Sequence, residues 1–430
     1  MNKIRTILFL IIAFWFYDLC EAKFKSFKSI SQIKFSNETK SEAKFNIGNI
    51  RFSKDNKFMY CNFPREKKND FKATLVRRNI GENENEEIYE PYPDFAINDY
   101  NGGCGNLFSV ISFEIDEEDN LYILDKGKKN NTITCSPKII IKYKNENKTE
   151  IHEFEDKDVN NKYLEDLLVD RINKYIYITF HDENANGIFL MKYNLNNTNV
   201  KILLYNNPKL ENEIGYSLTI KDYEELLKEK KNTKSIGLSC DGTAFFFSLI
   251  SSKMIYSILT KDIYYQYNND ENKIIDLQNI PINEAYKNDA TSAIIYSNMG
   301  NLYFTSLEKR KIYSYDLIDN DLSRFDYKGL RELNSSEIDI MFPLKMTINE
   351  GRLYLLTNQS KTNDTSKYSI YLDDDIGQEK SYIYGCAGLK YQFNLSFYIM
   401  LSIFFIILLF VLTFVIVGNI QDKDINKKNN

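Results

Sequence analysis

The chain holds two histidines, His152 in TEIHEFEDKD and His181 in TFHDEN. Neither has a second histidine at metal-ligand spacing, and no HExxH, CxxC or GxSxG pattern occurs, so zinc-hydrolase and serine-triad chemistry lack their residues. Both read as loop histidines. The cluster NGGCGN at Asn101 lacks the Lys-Ser/Thr of a phosphate loop and the strand-to-helix setting of a dinucleotide site. Carboxylates recur instead, at Asp116, Glu117, Glu118, Asp119, Asp170, Asp241 and Glu350, in short polar stretches between apolar runs. A ring of such groups could hold calcium, but a turn aspartate more simply bonds its own backbone, and turn chemistry is the expectation. No metal site and no cofactor are expected.

The elements that carry these carboxylates repeat. SVISFEIDEEDNLYILDKG, from Ser109, is an apolar strand, an acidic turn and a second strand rich in aromatic and β-branched residues. Five further stretches share that form, beginning at Gly48, Glu165, Lys234, Thr291 and Phe342. Their second strands align on Met59, Tyr122, Tyr177, Phe246, Tyr303 and Tyr354, which lie 51 to 69 residues apart. A hairpin recurring at long, roughly constant spacing predicts an all-β, six-bladed β-propeller with long loops, one four-stranded blade per hairpin.

Around this core the chain divides by composition. Residues 1–22 carry Lys3 and Arg5, an apolar run from Ile7 to Tyr17 and a small-residue end at Ala22, which reads as a signal peptide. Residues 395–418 hold no charge and are long enough to span a bilayer. The polar stretch 419–430 follows, so a C-terminal transmembrane helix is favoured over a lipid-anchor signal. The expected topology is type I single-pass at the cell surface or in a secretory-pathway membrane, with the propeller outside or lumenal and a short cytoplasmic tail. The propeller is expected over 45–388, with 23–44 completing the last blade. The net charge of −5 is small for 430 residues and interspersed, which excludes a nucleic-acid surface.

Five cysteines remain once Cys20 leaves with the signal peptide. Cys104 and Cys135 bracket the hairpin at Ser109, where two ends of a blade return to one face, and are expected to form a disulfide. Cys61 and Cys240 read as buried small hydrophobes on strands, and at least one of Cys61, Cys240 and Cys386 must stay unpaired within the chain. Eight N-x-Ser/Thr sequons, at Asn37, Asn130, Asn147, Asn196, Asn334, Asn358, Asn363 and Asn394, fit a secreted glycoprotein.

From about Gly48 to Thr357 the chain resembles the Yellow and major royal jelly protein family. PYPDF at Pro91 is similar to that family's Pro-Tyr-Pro-Ser-Trp. Cys104, LYILDKG at Leu121, CSPKI at Cys135, LEDLLVD at Leu164, TSAIIYSNMGNLYF at Thr291, IYSYDL at Ile312 and LYLLTN at Leu353 follow in the family's order. Phe95, Tyr122, Tyr315 and Tyr354 stand where the family usually has tryptophan, and Ser314 where many members have a cysteine, which removes the expected partner of Cys386.

The resemblance implies a six-bladed propeller that binds small ligands at the channel mouth formed by the residues after each second strand. Asp125 and Lys126, His181 and Asp182, Ser251 and Ser252, Glu308 and Lys309, and Asn358 and Gln359 occupy those positions. Asn358, which matches the family's Ser-Asn at the same strand end, is the leading ligand contact, with Asp125 and His181 beside it. Its sequon conflicts with that role, because a channel-lining amide does not carry a glycan. The function this implies is recognition of a small aromatic amine, a lipid or a protein partner. The alternatives are adhesion between surfaces, or a dopachrome-tautomerase-like enzyme with Asp125, Asp182 or His181 as base and Lys126 or Lys309 as donor.

Overall fold

The computed structural model describes residues 25–30, 34–35 and 45–387, the last stretch broken at 66–71, 81–87, 130–133, 182–185, 194–199, 206–233, 270–279 apart from Ile275, 318–328, 334–339, 360–366 and a few shorter breaks. The expected signal peptide at 1–22, the expected membrane helix at 395–418, the tail at 419–430 and every sequon except Asn358 lie outside the described residues. Among the described residues no helix is long and apolar enough to cross a membrane.

Six sheets stand in chain order, antiparallel except that Lys34–Phe35, from the segment expected to complete the last blade, adds a fifth strand to blade one in parallel with Ile88–Pro91, and their first strands touch one another in cyclic succession around an axis. This is the six-bladed propeller that the repeats predict. The inner strands are Ile50–Phe52, Val110–Ile115, Tyr163–Asp170, Lys234–Leu238, Ile294–Tyr296 and Phe342–Asn349. The second strands are Phe58–Asn62, Leu121–Asp125, Tyr175–His181, Ala244–Leu249, Asn301–Ser306 and Arg352–Asn358, so each hairpin found in the sequence is the inner half of one blade. Blade four adds a helix, Thr260–Asn269, between its third and fourth strands. Blade six takes its fourth strand from the other end of the chain: Lys25–Ile30 pairs antiparallel with Tyr368–Asp373.

Blades pack through the aromatic residues of the second strands. Tyr354 stacks on Phe52 of blade one at 3.9 Å, Tyr177 on Phe245 of blade four at 4.5 Å, and Phe246 on Tyr296 of blade five at 5.4 Å. Offset rings of this kind fill a wedge between twisted sheets without needing an indole.

The inner hairpins share one turn geometry. A residue with positive φ closes each: Asn56, Asp119, Lys174, Gly242, Gly300, and Glu350 with Gly351. In five of them the residue leaving the inner strand accepts a backbone N–H across the turn, from Asn120 to Asp116 at 2.9 Å, Asn173 to Asp170 at 2.9 Å, Phe58 to Ser53 at 3.0 Å, Thr243 to Ser239 at 3.0 Å and Asn301 to Ser297 at 3.1 Å. Asp116 and Asp170 are thus turn formers. Among the described residues no group of three or more His, Cys, Asp or Glu is placed to hold a metal ion.

Candidate functional site

Three inner strands break register at the same level, between Val110 and Ser112, Leu164 and Asp166, and Pro343 and Lys345. A bulge adds one residue and re-aims the side chains that follow. Here it brings three polar residues together in the centre of the ring. Ser112 Oγ donates to Asp166 Oδ1 at 2.9 Å, and Lys345 Nζ makes an ion pair with Asp166 Oδ2. Blades three and six face each other across the axis, so the Asp166–Lys345 pair spans the channel.

Beside it Arg51 of blade one grips Glu114 of blade two through Nε and Nη2 at 2.6 and 2.7 Å, a two-toothed contact with fixed geometry. Burial would lower the Arg51 pKa, but the Glu114 carboxylate outweighs it and holds the guanidinium above its ordinary value. Asn49 joins this pair to the backbone, accepting from Arg51 Nη1 at 2.7 Å and donating to Phe113 O at 3.0 Å. Ser235 Oγ donates to Ser292 O, and Ser292 Oγ donates to Pro343 O at 2.7 Å, which ties blades four, five and six. A cavity of about 30 Å³ remains among Arg51, Asp166, Ser235, Ser292, Lys345 and Tyr382, room for a water molecule or two and no more.

The inner strands begin at one end of the channel, which is its mouth. There Tyr163, 53% exposed, stacks on His181 with ring centroids 5.0 Å apart. His181 Nδ1 donates to Glu165 Oε1 at 3.0 Å. Glu165 is the bulge residue of blade three, set out of the regular alternation. An open aromatic face beside a carboxylate suits a cation that carries a ring.

The expected mouth residues fall in different environments. Asp125 has no exposed surface: Oδ2 accepts from Phe108 N at 2.8 Å and Ser109 N at 3.0 Å, and Oδ1 from Gly127 N at 2.8 Å. Lys138, equally enclosed, sits 3.6 Å from Oδ1 and over the Phe108 ring. Gly127 permits this clasp, because its φ is +73° and a Cβ there would lie 2.3 Å from Cys135 O. Asn358 ends the second strand of blade six, across the ring from His181, so these two residues share an end of the channel without being neighbours. Ser252 is buried, while Asp182 and Ser251 lie outside the described residues. His152 is not in a loop: it lies on the outer strand Lys148–Glu153 of blade two, its Nε2 3.4 Å from Glu150.

Tyr163, Glu165, Asp166, Lys345 and Arg51 were not singled out from the sequence. The available signal was charge in strands otherwise apolar, as in LEDLLVD and FPLKMTI: on the first strand of a blade such a residue needs a polar partner at the axis or at an end of the channel.

The opposite end is strapped. After blade six the chain recrosses the axis: Ser381 bridges to Ser297, Tyr382 OH accepts from Val169 N at 3.2 Å, and Arg171 Nη1 donates to Ile383 O at 3.0 Å. Burial raises the Tyr382 phenol well above its ordinary pKa. The expected Cys104–Cys135 disulfide is present, with Cα atoms 5.3 Å apart. Cys240, expected to be a buried small hydrophobe on a strand, is buried but lies in the turn after Lys234–Leu238 and is bonded to Cys386. The strap carries Cys386 over the blade-four hairpin, which supplies the partner that Ser314 had removed. Cys61 is buried in the second strand of blade one and takes part in neither disulfide.

No curated protein matches the chain. Solved structures of similar form include a luciferin-regenerating enzyme, 8% identical over 76% of this chain and 90% of that one, with a TM-score of 0.41. Another is the calcium-binding protein regucalcin from Agrobacterium tumefaciens strain C58, 9% identical over 77% and 92%, with a TM-score of 0.43. Similarity at this level says nothing of function. The sequence pattern of the major royal jelly protein matches residues 108–371, more than half of the chain, from the end of blade one to the third strand of blade six. The chain belongs to the major royal jelly protein family.

Proposed function

We propose that this propeller is a recognition module of the secretory pathway, held in the membrane by residues 395–418, that binds a small ring-bearing amine at the channel mouth. One observation carries the reading: the half-exposed Tyr163 ring lies at the start of an inner strand with the Glu165 carboxylate beside it. The Asp166–Lys345 pair spans the channel beneath, so a ligand rests in the mouth and does not thread the ring. Two disulfides among the described residues fit an oxidising compartment.

Calorimetric titration of the full-length protein in detergent with tyramine and histamine tests the reading. Tyr163→Ala is expected to weaken binding about 2- to 30-fold, as for a cation over a ring. Glu165→Gln is expected to weaken it about 13- to 160-fold, as for a charged hydrogen bond. A ligand long enough to cross the mouth reaches Asn358 as well, and Asn358→Ala then costs about 2- to 13-fold. No heat from either amine counts against an amine ligand and leaves a lipid or a protein partner. A glycan on Asn358 removes that residue from the mouth. Protease added to sealed vesicles, with a tag after Asn430, tests the anchor: loss of the propeller with the tag spared is the expected pattern.

A further inference from the structure

The strap, residues 380–386, closes the channel end opposite the mouth. It is held in two ways. Its first half is hydrogen-bonded to the blades: Asn298 N donates to Lys380 O at 2.7 Å, Ser381 N to Ile348 O at 3.2 Å, and the Tyr382 and Ile383 bonds follow. Past Ile383 the backbone bonds turn inward, Tyr384 N to Ser381 O and Gly385 N to Tyr382 O, and the covalent link from Cys386 to Cys240 fastens the end. Tyr382 lines the same small cavity as Arg51, Asp166 and Lys345, so it is the lid of the axial polar cluster.

The fastening can be reached. Cys386 is exposed, whereas Cys104 and Cys135 are half-buried and buried. A second cavity, of about 240 Å³, lies between the strap and the hairpins of blades three and four, with Cys240, Ser239, Arg171 and Gly385 in its wall. It gives a thiol an approach and the strap a space to move into. Exposed disulfides are the ones that exchange readily with thiols.

We infer that the Cys240–Cys386 bond is a reducible lock on an axial plug, and that a dithiol reductant opens the strapped end of the channel while the six blades stay folded. The exchange balances in two steps. A thiolate of the dithiol attacks Cys386 Sγ, forming a mixed disulfide and expelling Cys240 as a thiolate that takes up a proton. The reductant's second thiol then displaces Cys386, so the dithiol becomes a disulfide and two electrons and two protons pass to the protein pair. The lock is independent of what the mouth binds.

The amide of Val169 reports the state of the plug, because it points from an inner strand to the Tyr382 hydroxyl. Residue-resolved hydrogen exchange on the full-length protein in detergent, with and without dithiothreitol, is the test, and peptide mapping identifies the bond that is cut. The expected result is selective reduction of Cys240–Cys386, exchange at Val169 at least ~10-fold faster, and unchanged protection at Tyr177 and Leu355. Cys386→Ser is expected to reproduce the fast exchange without reductant. Tyr382→Phe is expected to raise exchange at Val169 with the disulfide intact. Slow exchange at Val169 after the bond is cut overturns the proposal, as does loss of protection throughout the blades, which would make the bond a staple of the fold.

Discussion

Lys345 of blade six and Asp166 of blade three form an ion pair across the centre of the ring, so two inner strands on opposite sides of it are joined directly. The pair is partly screened, with 24% and 12% of the two side chains exposed, and Ser112 supports the carboxylate. Asp166→Asn and Lys345→Met are each expected to cost roughly 1.5–3 kcal/mol, the range for a hydrogen bond between charged groups. The double variant should lose less than the sum, since it strands no charge. Urea unfolding of the four proteins measures the coupling, and additivity within ~0.5 kcal/mol would show that the two residues do not act together.

Tyr354 is 1% exposed and stacks on Phe52, at the seam between blade six and blade one. Tyr354→Ala is expected to destabilise by roughly 3–5 kcal/mol through the cavity it leaves. Denaturant melts check this, and a loss under ~1 kcal/mol would mean that the seam collapses to refill the space.

The Cys104–Cys135 bond closes an interval of 31 residues around the inner hairpin of blade two. Replacing both cysteines with serine is expected to cost about 3–4 kcal/mol on the chain-entropy account. Equilibrium unfolding gives the value, provided that mapping shows the second disulfide intact.

Glu379, at the root of the strap, is buried, and burial raises its carboxyl above the ordinary 4.5 against hydrogen bonds from Ser297, Tyr303 and Asn301. The folded protein therefore holds this proton more tightly than the unfolded chain. The stability it contributes is full below 4.5 and is lost as pH rises through the raised folded value. Glu379→Gln cannot ionise, so its melting temperature relative to wild type should rise between about pH 4 and about pH 7. Scanning fluorimetry at both pH values decides it: a constant difference would place the ionised carboxylate at no disadvantage.

The hairpins were legible because each is local: a polar turn with an Asp, Ser, Asn or Gly between two strands declares itself within twenty residues. Cys104 and Cys135 could be paired because they flank one such unit. Cys240 and Cys386 could not, being 146 residues apart and brought together by a strap with no repeat of its own. The axial cluster escaped for a different reason. A bulge shifts the alternation by one, so strict period-two reading puts Asp166 and Lys345 on the wrong side of their strands. Asp125 reads from the sequence as a channel-mouth acid after the second strand, and its enclosure depends on Phe108 and Lys138, which arrive from either side of that strand.

The fourth strand of blade six has a consequence for assembly. Lys25–Ile30 is made before any of the six inner hairpins, and its partner, Tyr368–Asp373, after all of them. Five blades can pair internally as they emerge, but an early stretch of chain must wait with its edge unmet until nearly everything else has been synthesised. The circle is therefore completed only after translation of the propeller ends, and until then an open strand edge is exposed to the chaperones and neighbours of the growing chain.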